Sequence, residues 1–209
     1  MGRPTTDIEA GREELLDHVE ALIQQRGGVS VTLAELATAA NMSTANLYRF
    51  FENKEALYEA VAERWFVPKI RIMEEVVASD LPVRDKLYAF FARRFVMMRD
   101  NYARDPVLFQ SYNDLGREHI DIVLSFIDLA DHYQAMLISE AISEGYFPDL
   151  TIDEAVSLVN LMIQPFCNPD LIPALHNRAT EAKLALIIDA MLAGLKGSTS
   201  TVRSIHAHA

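Results

Sequence analysis

The stretch of sequence that decides the fold runs from Val31 to Leu57 and reads VTLAELATAANMSTANLYRFFENKEAL. Its first part places Glu35 three residues after Thr32, the spacing of a capping box at the start of a helix. The residues that follow are mostly alanine and leucine, which favour helix formation. The sequence therefore predicts a short helix over residues 33–40.

A second short helix is predicted directly after a turn. Asn41 tolerates the left-handed backbone that a tight turn requires, and Ser43 is a good N-cap for a helix over residues 44–51. Two short helices joined in this way form a helix-turn-helix, which places its second helix in the major groove of DNA. The apolar residues expected to face inward together are Leu33, Leu36, Ala37, Met42, Leu47 and Phe51.

The outer face of this second helix carries residue types that read DNA. They are Thr44, Ala45, Asn46, Tyr48 and Arg49. Small residues at the start of the helix allow close approach to base edges, Asn46 suits adenine, and Arg49 suits guanine or phosphate. The hydroxyl of Tyr48 is a candidate phosphate contact. The motif predicts a DNA-reading surface.

The rest of the chain also has helical periodicity. One amphipathic helix is predicted over residues 8–23, with a stop at Gly27-Gly28, and a fourth helix follows the N-cap Asn53, with Pro68 expected to kink or shift it. Proline and glycine residues delimit further predicted helices over 83–102, 106–113, 116–144, 152–166 and 178–195. No alternating strand pattern competes, so the predicted fold class is all-α.

Two domains and a tail are expected from this pattern. Residues 1–55 form a three-helix unit with the helix-turn-helix, and residues 56–196 form a larger helical bundle, with the boundary within the long fourth helix. The tail, 197–209, lacks periodic apolar residues and is predicted to be disordered.

Composition excludes several classes of protein. With 209 residues, 50% of them hydrophobic and 23% charged, the chain is expected to fold around a packed core. Its single cysteine, Cys167, excludes a disulfide scaffold and a zinc module, and His119 and His132 do not have the spacing of metal ligands on one helix. No metal or cofactor is expected. Neither a membrane span nor a secretory signal is present in the sequence, so a cytoplasmic location without membrane partners is predicted.

An enzymatic role finds no support in the motifs. The sequence contains no glycine-rich phosphate loop, no nucleophile elbow and no combination of histidine and carboxylate typical of catalysis. The acidic residues fall mostly on polar helix faces. The chain is therefore not expected to be an enzyme.

Over about residues 8–60 the sequence resembles the tetracycline-repressor (TetR) family of bacterial transcription regulators. The resemblance rests on a Gly-Arg-Pro start and on residues at the family's spacing: Thr32, Leu36-Ala37, Ala40, Ser43, Leu47-Tyr48, Phe51, Lys54 and Leu57. It implies an all-helical homodimer with an N-terminal DNA-reading unit and a variable C-terminal domain that dimerises and usually binds a small effector. It also implies that Tyr48 and Lys54 contact phosphate.

The sequence departs from the family pattern at two positions. The glycine of the turn is replaced by Asn41, which the turn geometry tolerates. A position that is often histidine is Phe50, which loses a polar contact and offers packing against a thymine methyl group instead.

Charge limits how DNA can be bound. The formal net charge is −11, and even residues 1–66 hold six basic against eleven acidic residues. Binding is therefore expected to rely on a few positioned contacts. These are Arg3 on an N-terminal arm, Arg49, Lys54, and the backbone N–H groups at the helix N-termini of Thr32 and Ser43.

The C-terminal bundle is expected to hold an apolar or aromatic effector. The candidate pocket residues are Tyr88, Phe91, Phe95, Met98, Phe109, Tyr112, Phe126, Tyr133, Met162 and Phe166. Because the residues beyond position 66 are acidic on balance, a neutral or cationic effector is favoured over an anion.

The last two long helices have apolar stripes that exceed what a single neighbouring helix buries. A two-fold dimer interface is predicted there, with Val159, Ile163, Ile187, Met191 and Leu195. The sequence thus predicts a sequence-specific regulator, a repressor released from a palindromic operator by a small molecule. Two alternatives remain: a helical protein-interaction module, and a constitutive repressor without a ligand.

Overall fold

The computed structural model describes residues 5–26 and 31–195, and all regular structure in these ranges is helical. The all-α prediction is confirmed. In chain order the α-helices of this part of the chain are α1 (Thr5–Arg26), α2 (Leu33–Ala39), α3 (Thr44–Leu47), α4 (Lys54–Val77), α5 (Val83–Arg104), α6 (Pro106–Glu118), α7 (Ile120–Ser143), α8 (Ile152–Met162), α9 (Gln164–Cys167), α10 (Ile172–Leu175) and α11 (Glu181–Gly194). A 3₁₀ turn over Pro169–Leu171 precedes α10. Arg3, the predicted stop at Gly27-Gly28 and the tail 197–209 lie outside the described residues.

Several helix boundaries differ from the sequence prediction. The break expected between residues 113 and 116 falls instead at His119, and α6 continues through Gly116. A Cβ at position 116 would lie 3.0 Å from a methyl carbon of Val123, so glycine permits close packing of α6 on α7. Helix α4 continues through Pro68. Helix α3 ends at Leu47, before the predicted end at residue 51, and hydrogen-bonded turns lead from there to Phe51.

Packing divides the chain into two compact units. Unit 1 comprises Met1–Ile72 and Val96–Ala130, and unit 2 comprises Met73–Phe95 and Asp131–Ala209. This division differs from the expected 1–55 and 56–196, because long helices pass from one unit into the other and α6 contributes to the core formed by α1–α4. The helix-turn-helix therefore shares its core with a segment that lies far along the sequence.

The core of unit 1 confirms the predicted inward face of the helix-turn-helix. Leu36, Ala37, Leu47 and Phe51 are buried. Leu33 and Met42 are partly buried and pack against the same core, together with buried side chains of α1, α4 and α6. The two short helices are thus held by apolar contacts whose spacing the sequence displays.

The residues predicted at the dimer interface differ in how far they are exposed in unit 2. Val159, Ile163 and Met191 are buried inside the protomer, so they offer no surface to a partner. Ile187 and Leu195 are half-buried. Helices α8 and α11 are apolar on more than one face, and periodicity alone does not tell which face meets the protomer's own core. The large apolar side chains that these helices leave exposed are Ile152, Leu161, Met162 and Leu186.

None of the described helices combines the length and the apolar character needed to span a membrane.

Candidate nucleic-acid interface

The turn between α2 and α3 has the geometry that a helix-turn-helix requires. Asn41 adopts a left-handed backbone with a φ of 52°, and the N–H of Met42 donates to the carbonyl of Ala37 at 2.8 Å, which closes α2. Ser43 then caps α3, because its Oγ accepts from the N–H of Asn46 at 3.2 Å. The replacement of glycine by asparagine is accommodated, and α3 begins at Thr44 as predicted.

The predicted capping box at the start of α2 is complete. The N–H of Glu35 donates to Oγ1 of Thr32 at 3.2 Å, and the N–H of Thr32 donates to the Glu35 carboxylate at 2.9 Å. Arg26 also donates to this carboxylate, at 2.6 Å. The Thr32 N–H and the Arg26 guanidinium together lower the pKa of Glu35 to about 2. The Thr32 N–H is thus already bonded to the Glu35 carboxylate, which competes with phosphate for the contact predicted at Thr32.

The structure brings the predicted base-reading residues together on one face of α3 and the turn after it. Thr44, Ala45 and Arg49 are exposed, and Tyr48 is 53% exposed. Asn46 is half-buried, and its Oδ1 accepts a long hydrogen bond of 3.4 Å from Nη1 of Arg49. The two side chains therefore lie side by side, where both can contact one stretch of a DNA groove.

Phe50 has a structural partner that the sequence did not reveal. Its half-buried ring lies over Gly11 of α1, where an added Cβ would lie only 2.6 Å from a ring carbon. Gly11 is thus required for the close approach of α1 and the turn after α3. A glycine inside an otherwise amphipathic helix is the signal that could have indicated this contact. The predicted contact of Phe50 with thymine stays a prediction.

The arrangement of charges shows which cations of the DNA-reading region are available. Arg26 is paired with Glu35, and Arg64 is paired with acidic residues of α1. Arg12 lies over the ring of Phe51 at 5.2 Å. Within the described residues Arg49 and Lys54 make no ion pair, so their charges are available to phosphate or base.

Lys54 lies at the start of α4, which Asn53 caps by accepting from the N–H of Ala56 at 2.8 Å. Its ammonium is 5.0 Å from the centre of the Tyr58 ring. The neighbouring Tyr58 side chain raises the pKa of Lys54, so the charged form is favoured. The cap and the ring hold an exposed cation close to the helix-turn-helix.

Helix α6 is fastened to the DNA-reading region at two points. The hydroxyl of Tyr112 donates to the Glu20 carboxylate at 2.5 Å, and Gln24 donates to Asp105 at 2.7 Å. Burial and the Glu20 carboxylate together raise the pKa of Tyr112. The Tyr112 ring is also stacked on Trp65 of α4, with 4.4 Å between ring centres. Displacement of α6 would therefore act on both α1 and α4.

The predicted effector-pocket residues are divided between the two units. Met98, Phe109, Tyr112 and Phe126 belong to unit 1, and the other six belong to unit 2. In unit 1 the rings of Trp65, Phe66, Tyr112 and His119 surround an enclosed cavity of about 20 Å³. This is room for one water molecule, far below the ~300–1,000 Å³ of a typical small-molecule site. In unit 2, Met162 is 40% exposed whereas Phe91 and Phe95 are fully buried.

Comparison with known families agrees with this geometry. Residues 15–61 match the family described as bacterial regulatory proteins, tetR family, and residues 83–188 match the tetracyclin repressor-like C-terminal domain. The first match contains the helix-turn-helix, and the second extends from α5 into α11.

Individual relatives are similar along most of the chain. The HTH-type transcriptional repressor KstR2 of Mycobacterium tuberculosis is 25% identical over 161 residues, covering 73% of this chain and 78% of the relative. The fold is similar to that of the fatty acid degradation regulator FadR from Bacillus halodurans, with a TM-score of 0.64 at 14% identity and coverage of 94% and 99% of the two chains. It is also similar to the structure of the ketosteroid transcriptional regulator KstR2 of Mycobacterium tuberculosis, with a TM-score of 0.55 at 18% identity and coverage of 90% and 95%.

The helix-turn-helix geometry and both family matches lead to one conclusion: the chain belongs to the TetR family and is a DNA-binding transcriptional regulator.

Proposed function

We propose that this regulator is a repressor that binds a palindromic operator as a homodimer and leaves it when a small apolar effector binds. The observation that carries the proposal is the exposed face of α3 and the turn after it, where Asn46 and Arg49 lie together. Arg49 and Lys54, the latter at the start of α4, are available cations of this region. They provide local positive charge in a chain whose net charge is −11.

The contacts divide into two kinds. Asn46 and Arg49 have the donors and acceptors that distinguish bases in the major groove, so they set the sequence preference. Tyr48 and Lys54 hold phosphate and position the protein without reading sequence. Few phosphate contacts imply weak nonspecific binding and a shallow dependence of affinity on salt.

A homodimer supplies the second reading helix. The side chains of Leu161 and Leu186 are 70% and 67% exposed, an unusual exposure for leucine, and burial against a second copy of the chain would remove them from water. A two-fold axis then relates two copies of α3, which requires operator half-sites about one helical turn, ~34–36 Å, apart.

Effector control is proposed to act through α6 and α4. The Tyr112–Glu20 and Gln24–Asp105 hydrogen bonds couple α6 to α1, so a shift of α6 would reposition the reading helix. The effector releases DNA only to the extent that it binds the two conformations differently, typically about 1–3 kcal/mol of coupling. The relative KstR2 is described as a ketosteroid transcriptional regulator, which supports an apolar effector class.

Selection from random duplex DNA tests the proposal. The full chain is expected to enrich a palindrome and to bind it as a dimer in sedimentation at stated salt. A Lys54→Ala variant should bind every duplex more weakly without changing the enriched sequence. Enrichment of no sequence by the wild-type chain, or binding as a monomer, would contradict the proposal and favour a protein-interaction module.

A further inference from the structure

Arg94 is a buried cation on the segment of α5 that belongs to unit 2. Only 8% of the residue is exposed. Its Nε donates to the carbonyl of Phe90 at 2.9 Å, and its Nη1 lies 3.4 Å from the sulfur of Met73, a weak acceptor. The guanidinium also lies over the Phe90 ring, 4.1 Å from its centre. Among the described residues, no carboxylate pairs with this arginine.

Other cations of unit 2 contrast with Arg94. Arg84 pairs with Asp189 at 2.7 Å, and Lys86 pairs with Glu140 at 2.9 Å. Arg93, the neighbour of Arg94 in sequence, pairs with Glu75 at 2.5 Å and remains 45% exposed. Lys86 is as little exposed as Arg94, at 8%, and still has a carboxylate partner, whereas Arg94 has none among the described residues.

A buried cation without a counter-charge destabilises a fold. Removing a charge from water costs several kcal/mol, and contact with an aromatic ring or a carbonyl returns only part of this free energy. The burial lowers the pKa of Arg94 below its ordinary value. An apolar residue of similar volume would serve packing better, so an arginine at this position points to a binding role.

Two polar groups of unit 2, Asp131 and Cys167, act electrostatically on Arg94. Asp131 lies close enough to influence Arg94 electrostatically without pairing with it, and Asn160 donates to Asp131 at 2.9 Å. Gln134, which is 2% exposed, donates to the carbonyl of Val156. The Cys167 thiol is a further neighbour: burial raises its pKa, and the positive charge of Arg94 opposes that rise. A few polar groups in an apolar, aromatic environment are typical of a small-molecule site.

We propose that Arg94 binds the carboxylate of an amphipathic ligand whose apolar body packs among the aromatic side chains of unit 2. This inference rests on the proposed function, since it assigns a chemical class to the effector. A planar guanidinium binds a carboxylate by donating two parallel hydrogen bonds to its oxygens. A single arginine balances one negative charge, and because Asp131 is nearby, a doubly charged phosphate would be less favourable.

The assignment reverses the expectation drawn from net charge. The acidic balance of the bundle favours a neutral or cationic ligand only at long range, whereas contacts within a few ångströms are set by local groups. The adaptable Met73 side chain, which contributes the weak sulfur contact, is the group that moves aside when the carboxylate binds.

Matched ligands and variants test the assignment on the full chain. Dodecanoate and dodecanol share one apolar chain and differ in charge, and both are used at pH 8 below their aggregation concentrations. The acid is expected to bind at least tenfold more tightly by calorimetry and to raise Tm by roughly 5 °C or more at a hundredfold excess over Kd. Cholate provides the same test with a rigid ring system.

The variants separate ligand binding from folding. Arg94→Met should remain folded with a Tm at least equal to that of wild type, and it should bind acid and alcohol equally. Arg94→Lys keeps the charge but loses the paired hydrogen bonds, so it should retain only part of the preference. Arg93→Met, the control at the neighbouring exposed position, should keep the full preference.

Cys167 provides a further measurement in the wild-type chain, because it is the single cysteine. Dodecanoate should slow its reaction with a thiol reagent more than tenfold, whereas dodecanol should slow it much less. Binding of no acid, equal binding of acid and alcohol by wild type, or a much lower Tm in both Arg94 variants would overturn the assignment. Operator binding is measured separately, so its loss in the unliganded wild-type chain would count against the proposed function alone.

Discussion

The two units of the molecule differ in the exposure of the cations that lack a carboxylate partner among the described residues. In unit 1, Arg49 and Lys54 are exposed and have no carboxylate partner among the described residues. In unit 2, Arg84 and Lys86 are held in ion pairs, while the buried Arg94 has no carboxylate partner among the described residues. A net charge of −11 therefore says little about what the protein binds. The position and pairing of individual cations determine which partners each unit can hold.

The largest expected effect concerns the apolar residues considered for the dimer interface. Ile163→Asp places a charge in the interior of the protomer and should prevent folding, because a buried unpaired carboxylate is strongly destabilising. Leu161→Asp changes a side chain that is 70% exposed, so the helical circular dichroism signal should persist while sedimentation shows monomers. A folded, monomeric Ile163→Asp variant would instead support the prediction from the sequence that Ile163 lies at the dimer interface.

The next effect compares exposed cations of the two units. Lys54→Ala should weaken binding to every duplex by about tenfold or more and reduce the slope of log affinity against log salt by about one. Arg93→Ala removes the same charge from unit 2, where Glu75 already pairs with it, and should leave both quantities nearly unchanged. Equal losses in the two variants would mean that overall charge, and not position, controls binding. Titrations at several salt concentrations measure this.

A smaller effect is expected at the connection between α6 and α1. Tyr112→Phe removes the hydrogen bond to Glu20 and should lower the free energy of unfolding by about 1 kcal/mol, measured by urea denaturation. Tyr88→Phe is the control in unit 2 and should change the free energy of unfolding by less than about 0.5 kcal/mol. If Tyr112→Phe and Tyr88→Phe changed the free energy of unfolding equally, the Tyr112 hydrogen bond would contribute nothing to fastening α6 to α1.

The smallest effect compares two capping boxes, Thr32–Glu35 in unit 1 and Thr151–Glu154 in unit 2. Both carboxylates have a lowered pKa, with that of Glu35 at about 2 because Arg26 adds to the Thr32 contacts. A lowered pKa stabilises the fold above pH 4.5, and this stabilisation disappears as the pH falls toward 2. Glu35→Gln should thus lower the urea midpoint at pH 7 and lose that difference by about pH 2.

Glu154→Gln is the matched variant in unit 2. It should show the same sign and a smaller difference, because no arginine of the described residues pairs with the Glu154 carboxylate. A difference between Glu35→Gln and wild type that did not change with pH would show that the carboxylate charge is not what stabilises α2.

Sequence predicted the helix-turn-helix well because its signals are local. Thr32, Ser43 and Asn41 fix caps and a turn through contacts within three residues, and the structure contains each of them. The break at His119 and the burial of Ile163 could not be predicted, since both depend on how distant helices pack. Gly116 and Gly11 are two examples of this dependence, because each permits a close approach to a side chain on another element.

The candidate site shows the same limit. The sequence identified six cations in residues 1–66 but not their partners, and only the structure shows that Arg26 and Arg64 are already paired. The predicted effector pocket combined residues that the structure divides between two units. Helical spacing indicates that aromatic residues are buried, but it does not show which of them surround a ligand.

The most direct measurement compares the operators that wild type and Asn46→Ala select from the same random duplex pool at the same salt concentration. Wild type is expected to enrich a palindrome with adenine at one position of each half-site. Asn46→Ala should lose the preference at that position alone, with about 1–3 kcal/mol less discrimination, and keep the half-site spacing. Identical enriched sequences with equal affinities would show that this face of α3 does not read the bases.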